Sequence, residues 1–494
     1  MLGYFPERRK HMAYRYSDRL QAGLLPQSIE EYVAENDPAR AYDAFVEALD
    51  FRDLGIEIDP HKIGNAEYDP HIMLKLLVYG YSYGVKSSRK LERECHHNLS
   101  FIWLTGGLKP DHKTIAEFRR KNKKALKKVL RHCARICIKL DLIAGNILFV
   151  DGTKVRANAG RGRTHERAYY ERLLAKLDSR IDQLLADCEA ADRSEENAPS
   201  YVAMDKELAK SRNLKERIRE ALNAIASADK RPVNQTDPDC AMMHSIQGNH
   251  TGYNVQSVID DEHGLIVQAE AVSDANDARQ FARQIDQANE LLDKTCKVAC
   301  ADAGYADTAE LEKVDQQGIK VIVPSQRQSL HEPEGPFSKS HFTYNKEQDC
   351  YICPEGHRLL HSFTNKRKGK RHYRMENSKL CRRCRHFGRC TNSERGRSII
   401  RLRNEETKQK LEAQYEEASS QAVYSRRKNR VEHPFGHIKR NLKTDAFLLR
   451  GREGVQAETS LLATCFNVAR MMTILGIGTL IERLAGFRMV PAGC

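Results

Sequence analysis

Three acidic residues sit where the sequence could do phosphate chemistry. Asp151 ends the apolar run Ile147 to Val150 and is followed at once by Lys154 and Arg156, and Asp302 ends the short stretch Lys297 to Ala301. Glu432 lies further on, in Val-Glu-His-Pro-Phe-Gly-His-Ile-Lys at 431 to 439. Carboxylates converging at one edge of a sheet supply the hard oxygens that Mg²⁺ or Mn²⁺ takes. Two such ions about 3.5–4 Å apart can stabilise both the attacking and the leaving oxygen of phosphoryl transfer. Asp-Gly is also a common hairpin dipeptide, and residues 151 and 152 read alone favour a turn. A second constellation is sulfur. Cys381-x2-Cys384, Cys390 and Cys353 in Cys-Pro-Glu-Gly-His could supply a tetrahedral four-thiolate Zn²⁺ site, with Cys350 and His357 as reserve ligands; the alternative is a set of unpaired surface thiols.

The elements that must position these residues follow from periodicity. Four consecutive apolar residues, Ile147 to Val150, fit a central strand covered on both faces. Residues 251–259 and 265–272 read as a hairpin, 277–292 as a helix, 297–301 as a strand, 308–317 as a helix and 319–323 as a strand, which makes a mixed α/β sheet. Between 164 and 228, Tyr170, Leu173, Leu177, Ile181, Leu184 and Cys188 recur at helical spacing. Leu214, Ile218, Leu222 and Ile225 do the same after the break at Asn197-Ala198-Pro199, so an antiparallel helical hairpin interrupts the sheet. Residues 337–403 are basic, cysteine-rich and poor in long apolar runs. From Glu405 the chain is helical again up to Tyr424, Arg427, Lys428 and Glu432, and Pro434 requires a kink or a helix start nearby.

Residues 1 to about 140 read as helices, with Asp37-Pro38 and Asp69-Pro70 as capped starts. Pro110 to Thr114 leads into a basic helix carrying Arg119, Arg120, Lys121, Lys123, Lys124, Lys127 and Lys128. Short helices ending in a basic one resemble a helix-turn-helix DNA-binding domain; a solvated basic face is the other reading. Across 494 residues, 81 Lys and Arg against 67 Asp and Glu give +14, which favours a polyanionic partner: nucleic acid first, an anionic membrane surface second. The N-terminus has no apolar signal region, so a cytoplasmic location is expected, and 14 cysteines there argue against a disulfide framework. The longest apolar stretch, Leu461 to Leu480, contains Asn467, Arg470, Gly476 and Gly478 and reads as a buried helix rather than a membrane span.

Four motifs occur in order: Asp-Gly-Thr-Lys-Val-Arg-Ala-Asn-Ala at 151 to 159, Gly-Tyr-Asn-Val-Gln at 252 to 256, Ala-Asp-Ala-Gly-Tyr at 301 to 305, and the 431 to 439 segment. Together they resemble the DDE transposases of bacterial insertion sequences, in the branch with an N-terminal helical domain and a Cys-rich insertion. The resemblance implies a ribonuclease-H-like core over 141–484, with the helical hairpin at 165–228 and a zinc insertion at 337–403, preceded by an all-α DNA-binding domain over 1–140. It implies a catalytic and metal-binding triad of Asp151, Asp302 and Glu432, and a reaction in which water cuts the element end and the freed 3′ hydroxyl attacks target DNA. A related Tyr, Arg, Glu, Lys signature matches less well: Lys428 holds the arginine's place and Arg427 is one off, while Lys439 fits. The DNA-contacting residues expected are Lys154, Arg156, Tyr424, Arg427, Lys439, Lys123, Lys124 and Lys127. The partner implied is double-stranded DNA, element ends and target, with a homodimer on that DNA by analogy and a nucleoid association in the cytoplasm. Rival readings are a plain metal-dependent nuclease and an inactive descendant kept as a DNA-binding regulator.

Overall fold

The computed structural model describes residues 28–58, 67–194, 198–227, 232–245, 248–331, 333, 335–365 and 369–487; the N-terminal segment read for a signal, and Asn197 of the helical break, lie outside the described residues. Asp37 and Asp69 cap the helices Pro38–Glu47 and Pro70–Ser82 by accepting from the N–H groups of Ala39 and His71, and each proline takes a first-turn place that needs no N–H. The helices Ser88–His97, Leu99–Leu104, His112–Lys121 and Lys123–Lys139 follow. The basic segment is therefore two helices, broken at Asn122. Arg119 belongs to neither a DNA-facing surface nor a solvated one: it is 2% exposed and donates to Tyr81 Oη, Lys86 O and Ser88 Oγ.

Strand β1 (Ile147–Arg156) runs straight through Asp151 and Gly152, which excludes the hairpin turn. Next come β2 (Thr164–His165) and β3 (Val233–Asn234), a short ladder at the root of two long helices, Arg167–Ser194 and Ala198–Ser227. Those helices pack through Tyr170, Ile218, Ala221 and Ile225 near the root and Ile181, Leu184 and Leu208 beyond it. Strands β4 (Ala241–Ser245), β5 (Gly248–Asp260), β6 (Ile266–Val272), β7 (Val298–Cys300) and β8 (Lys320–Ile322) complete a mixed sheet in the order β4-β5-β1-β7-β8, with β6 also on β5. β5 is antiparallel to β1, whereas β7 and β8 run parallel to it. Strand β4, in which only Met243 is buried, is an addition to the sequence reading.

The sheet is covered on both faces, as the apolar run in β1 requires. Leu148, Val150, Ala299 and Val321 join a core shared with Phe281 and Ile285 of the helix Phe281–Leu292, while Phe149, Ile259, Cys300 and Ile322 face Tyr415, Val431 and Phe466. At the outer strand β8, the helix Glu405–Glu416 lies alongside and Gln414 Nε2 donates to Val321 O at 2.8 Å. The helix Gly451–Leu475 is mostly buried, and Asn467 clamps β6 by accepting from Ile266 N at 2.9 Å and donating to Ile266 O at 2.8 Å. Gly476, at φ 77°, turns the chain into Ile477–Ala485. No single described helix is long and apolar enough to cross a membrane; this pair, bent by 110°, passes by length and composition only when taken together.

The cysteine-rich region contains an antiparallel sheet of β9 (Thr343–Asn345), β10 (Cys350–Ile352), β11 (Arg358–Asn365), β12 (Lys370–Met375) and β13 (Ser398–Leu402), around Phe342, Tyr351, Leu359, Tyr373 and Ile399. After it the helix Ala418–Gly436 passes over the main sheet with Pro434 inside, followed by a π turn, His437–Asn441. Pro434 has no N–H for the carbonyl one turn back, and the wider turn that follows absorbs the mismatch without ending the helical path.

Candidate active site

Phe149 and Cys300 are register partners on adjacent parallel strands. Asp151 and Asp302, each two residues further on, therefore leave the sheet on the same face. Asp151 is not at the end of its own strand but beside the end of its neighbour's. Helix Ala418–Gly436 covers this face, with Val431 packed in the same cluster as Phe149 and Cys300. Arg427, one turn before Val431, comes to lie over the aspartates, its Nη1 3.9 Å from Asp151 Oδ1. That separation makes an ion pair but not a hydrogen bond. Arg427 Nε and Nη1 are buried with no hydrogen-bond partner, and the guanidinium sits 5.6 Å from the centre of the Tyr424 ring.

The electrostatics show how tightly this group is confined. Burial pushes the Asp151 carboxyl up to about 7; Arg427 opposes that shift, and the charges of Asp302 and Asp277 add to it. Burial also works against the charge on Arg427, but Asp151 and Asp302 hold its proton more firmly than usual. Asp302 uses Oδ1 to cap its own turn, accepting from Gly304 N at 2.8 Å.

Sequence reasoning missed a group beneath these residues. Asp277 accepts from Asn254 Nδ2 at 2.6 Å and from Gln256 Nε2 at 2.7 Å, and Gln256 Oε1 accepts from Tyr305 Oη at 2.5 Å. A Cβ on Gly152 would lie 2.5 Å from Gln256 Nε2 and 2.8 Å from Asp277 Oδ1. Gly152 thus serves close approach rather than a turn. The available signal was Gly-Tyr-Asn-Val-Gln itself: two amides on a buried strand must find partners. Asp277 precedes the helix it was expected to open, since that helix starts at Phe281.

Lys154, Arg156 and Lys439 line one cleft of ≈ 350 Å³ with Asn254, Asp277 and His250. Lys439, in the π turn, donates to Thr153 Oγ1 at 2.5 Å, and burial lowers its proton affinity against the pull of Asp445 and Asp151. Glu432 is exposed. Five residues past Arg427, it points about 140° round the helix, and among the described residues no hydrogen bond or ion pair joins it to Asp151 or Asp302. Lys124 and Lys127 line a second, larger cleft of ≈ 880 Å³ with Lys128, Arg131, Arg283 and Glu270. Lys123 heads the same helix, half-buried.

Cys353, Cys381, Cys384 and Cys390 line one small cavity of ≈ 30 Å³. Cys384 Sγ accepts from His386 N at 3.4 Å and Cys381 Sγ from Arg397 N at 3.5 Å. Burial raises the Cys390 thiol, with Cys381, Cys353 and Cys384 close enough to add to the shift against the opposing charge of Arg397. Cys350 is buried and donates towards Gln348 Oε1. Among the described residues, no group of three or more His, Cys, Asp or Glu side chains is placed to hold a metal ion. The expected three-carboxylate and four-thiolate shells are therefore not closed: Arg427 balances the two aspartates, and Glu432 faces elsewhere. In kind the donors do fit, hard carboxylate oxygens for Mg²⁺ or Mn²⁺ and clustered sulfurs that accept backbone N–H groups for Zn²⁺.

Comparison with known proteins adds three findings. Residues 352–472 match the family described as Transposase DDE domain, and residues 27–121 match the family described as Transposase domain (DUF772). No curated protein matches the chain. Among solved structures the chain is similar to the piggyBac transposase in a cryo-EM synaptic complex with hairpin DNA, at 8% identity over 92% of this chain and 80% of that one, with a TM-score of 0.33.

Proposed function

Because the chain belongs to the DDE transposases, we propose that it cuts double-stranded DNA at the ends of a mobile element and joins the freed 3′ hydroxyl to target DNA. The observation that carries this reading is Asp151 on β1 beside Asp302, which lies two residues past the end of the parallel neighbour β7, with Arg427 over both. The strand order supports a ribonuclease-H-like core: β5 and β6 antiparallel on one side of β1, two parallel strands reached through helices on the other. DDE transposases use divalent cations, and Mg²⁺ or Mn²⁺ held by Asp151 and Asp302 would supply Lewis-acid stabilisation of oxygens that gain charge. Glu432 is proposed as the third carboxylate, which requires its helix to turn or reshape near Pro434.

The chain's own residues do the rest. Arg427 Nε and Nη1, buried and without partners, are two donors left for phosphate oxygens. Tyr424 supports the guanidinium from one side, while Lys154, Arg156 and Lys439 line the cleft through which a strand backbone would run. In the first step a water oxygen bonds to phosphorus and the P–O3′ bond breaks, with the proton passing to the departing 3′ oxygen. In the second, that 3′ oxygen bonds to a target phosphorus as the target P–O3′ bond breaks, with the hydroxyl proton passing to the departing target oxygen, so this step conserves the number of phosphodiester bonds and needs no energy source. Lys123, Lys124 and Lys127 and the helical region at 1–140 are proposed to bind element ends through phosphates, with two protomers for two ends. The four cysteines are proposed to hold one structural Zn²⁺ that folds the region 337–403 and takes no part in cleavage.

Incubating the protein with an end-bearing donor and a circular target in Mg²⁺ or Mn²⁺ tests the reading. Donor ends joined to target support it. Cleavage without joining would instead make the protein a nuclease, and binding without either a DNA-binding regulator.

A further inference from the structure

We infer that Asp277 is a positioning residue of this site: gripped by Asn254 and Gln256 of β5 and tied through Gln256 to Tyr305, it fixes the turn bearing Asp302 against the strand bearing Asp151. The inference rests on the DNA-cleavage reading and assigns a role to a group that reading leaves idle.

The linkage is directional. Gln256 is 0% exposed, and Asn254 and Tyr305 are 1% exposed, so each polar atom must find a partner inside the protein or incur a desolvation penalty. Tyr305 is held beside the Asp302 turn, its backbone N donating to Asp302 O at 3.1 Å, and its buried phenol has one proton to place. It must donate, and the acceptor is Gln256 Oε1. That orients the amide with Nε2 towards Asp277 Oδ1, where Asn254 Nδ2 also converges while reaching Asp274 O at 3.2 Å. The other oxygen of Asp277 faces the Asp302 turn: a Cβ on Gly304 would stand 2.9 Å from Asp302 Oδ1 and 3.9 Å from Asp277 Oδ2. Gly152 clears the space beside the Asp277 carboxylate, and Gly304 clears it beside Asp302 Oδ1. One chain of hydrogen bonds thus runs from β5, opposite Gly152 in the ladder, to the residue three after Asp302. Asn254 Oδ1 is buried without a partner beside it and lines the cleft that also holds Lys154 and Lys439.

Reversing the charge pattern tests the linkage. Gln256→Glu keeps an acceptor for Tyr305 but sets a carboxylate against Asp277, and adding Asp277→Asn replaces that repulsion with an amide N–H donating to the new carboxylate, while Asn254 Nδ2 keeps its bond to Asp274 O. The single variant should lose about 10–100-fold in both Mn²⁺ affinity, read by electron paramagnetic resonance, and single-turnover cleavage, with end-DNA affinity unchanged. The double variant should recover most of both. Tyr305→Phe, which leaves Gln256 Oε1 without its donor, should lower the melting temperature modestly and slow cleavage about tenfold under conditions where the variant is fully folded. Losses that follow the folded fraction, or a double variant no better than the single, overturn the inference, as does parent-like behaviour of Gln256→Glu and Tyr305→Phe. Failure of the parent to cut DNA would instead overturn the cleavage reading; Mn²⁺ binding by parent and variants would still decide the role of Asp277, and a parent that binds no Mn²⁺ would end both.

Discussion

Two buried charge clusters in this molecule are built from the same residue types and do different work. In the helical region, Arg119 donates through both terminal nitrogens to Tyr81, Lys86 and Ser88, while nearby Glu458 accepts from Leu448 N at 2.8 Å and Leu449 N at 3.0 Å. One atom of each, Arg119 Nε and Glu458 Oε1, is left over. At the sheet, Arg427 comes no closer than an ion-pair distance to Asp151 and leaves two nitrogens unengaged. A buried charge with most of its polar atoms hydrogen-bonded is part of the scaffold, and one held mainly by the charges around it is available to a ligand. Removing a partner from the first kind should damage folding, and from the second, chemistry.

The contrast is tested most severely by Asp151→Asn and Asp302→Asn. Each should leave folding and end-DNA affinity intact while single-turnover cleavage falls on the order of a thousandfold or more. Parent-like cleavage would move the sheet cluster into the scaffold class.

A second test uses pH. The Asp151 carboxyl sits at about 7 when folded against an ordinary 3.8, so between those values the folded state carries the extra proton. Stability is therefore greatest below the lower value and falls as pH rises towards the upper, by at most roughly 4 kcal/mol at about 1.4 kcal/mol per unit. Asp151→Asn should flatten that fall, and Mn²⁺ at pH 8 should raise the melting temperature of the parent but not of the variant. Glu458 is raised by burial too, yet Glu458→Gln should leave the Mn²⁺ response unchanged.

Exchanging the two arginines gives a smaller but cleaner separation. Arg119→Ala should lower stability in urea by about 2–4 kcal/mol, because its acceptors are left buried and unpaired. Arg427→Gln should alter stability by less than about 1 kcal/mol and slow cleavage about 10–100-fold, within what a single charge-stabilising donor contributes. The reverse pattern would invert the assignment.

The smallest effect belongs to the surface. Alanine at Lys123, Lys124 and Lys127 together should reduce the log–log salt slope of DNA binding by roughly 0.9 for each phosphate that is no longer neutralised. An unchanged slope would remove this helix from the interface and leave DNA binding to the cleft beside the sheet.

Features set by local chemistry are readable from the sequence. Asp37 and Asp69 cap helices because a carboxylate before proline can do little else, and the run Ile147 to Val150 marks a strand buried on both faces. Asp151 and Asp302 stand out because each stops an apolar run. Gly152 reads wrongly as a turn because the atoms that exclude a side chain there come from Gln256 and Asp277, over a hundred residues away. Arg119 groups with the basic surface because charge says nothing of burial, and nothing in the sequence marks Ser88 and Tyr81 as its acceptors. The five-stranded sheet is not legible, since Phe363 and Ile400 are exposed and its interior rests on a few scattered aromatics. Glu432 depends on helical phase, and a one-residue difference from the expected spacing is enough to turn it from the aspartates.

The placement of the helix Glu405–Glu416 along β8 also governs how this protein can meet other copies of itself. An outermost strand is a template: its free carbonyl and N–H groups invite a strand from another chain, and such pairing propagates into aggregates. Gln414 occupies the Val321 carbonyl, and Lys320, charged and paired with Glu417 at 2.6 Å, stands at the start of the strand. With that edge shielded by a side-chain amide and a lysine, strand addition at β8 is disfavoured, and a strand from another copy could pair there only by displacing the helix Glu405–Glu416.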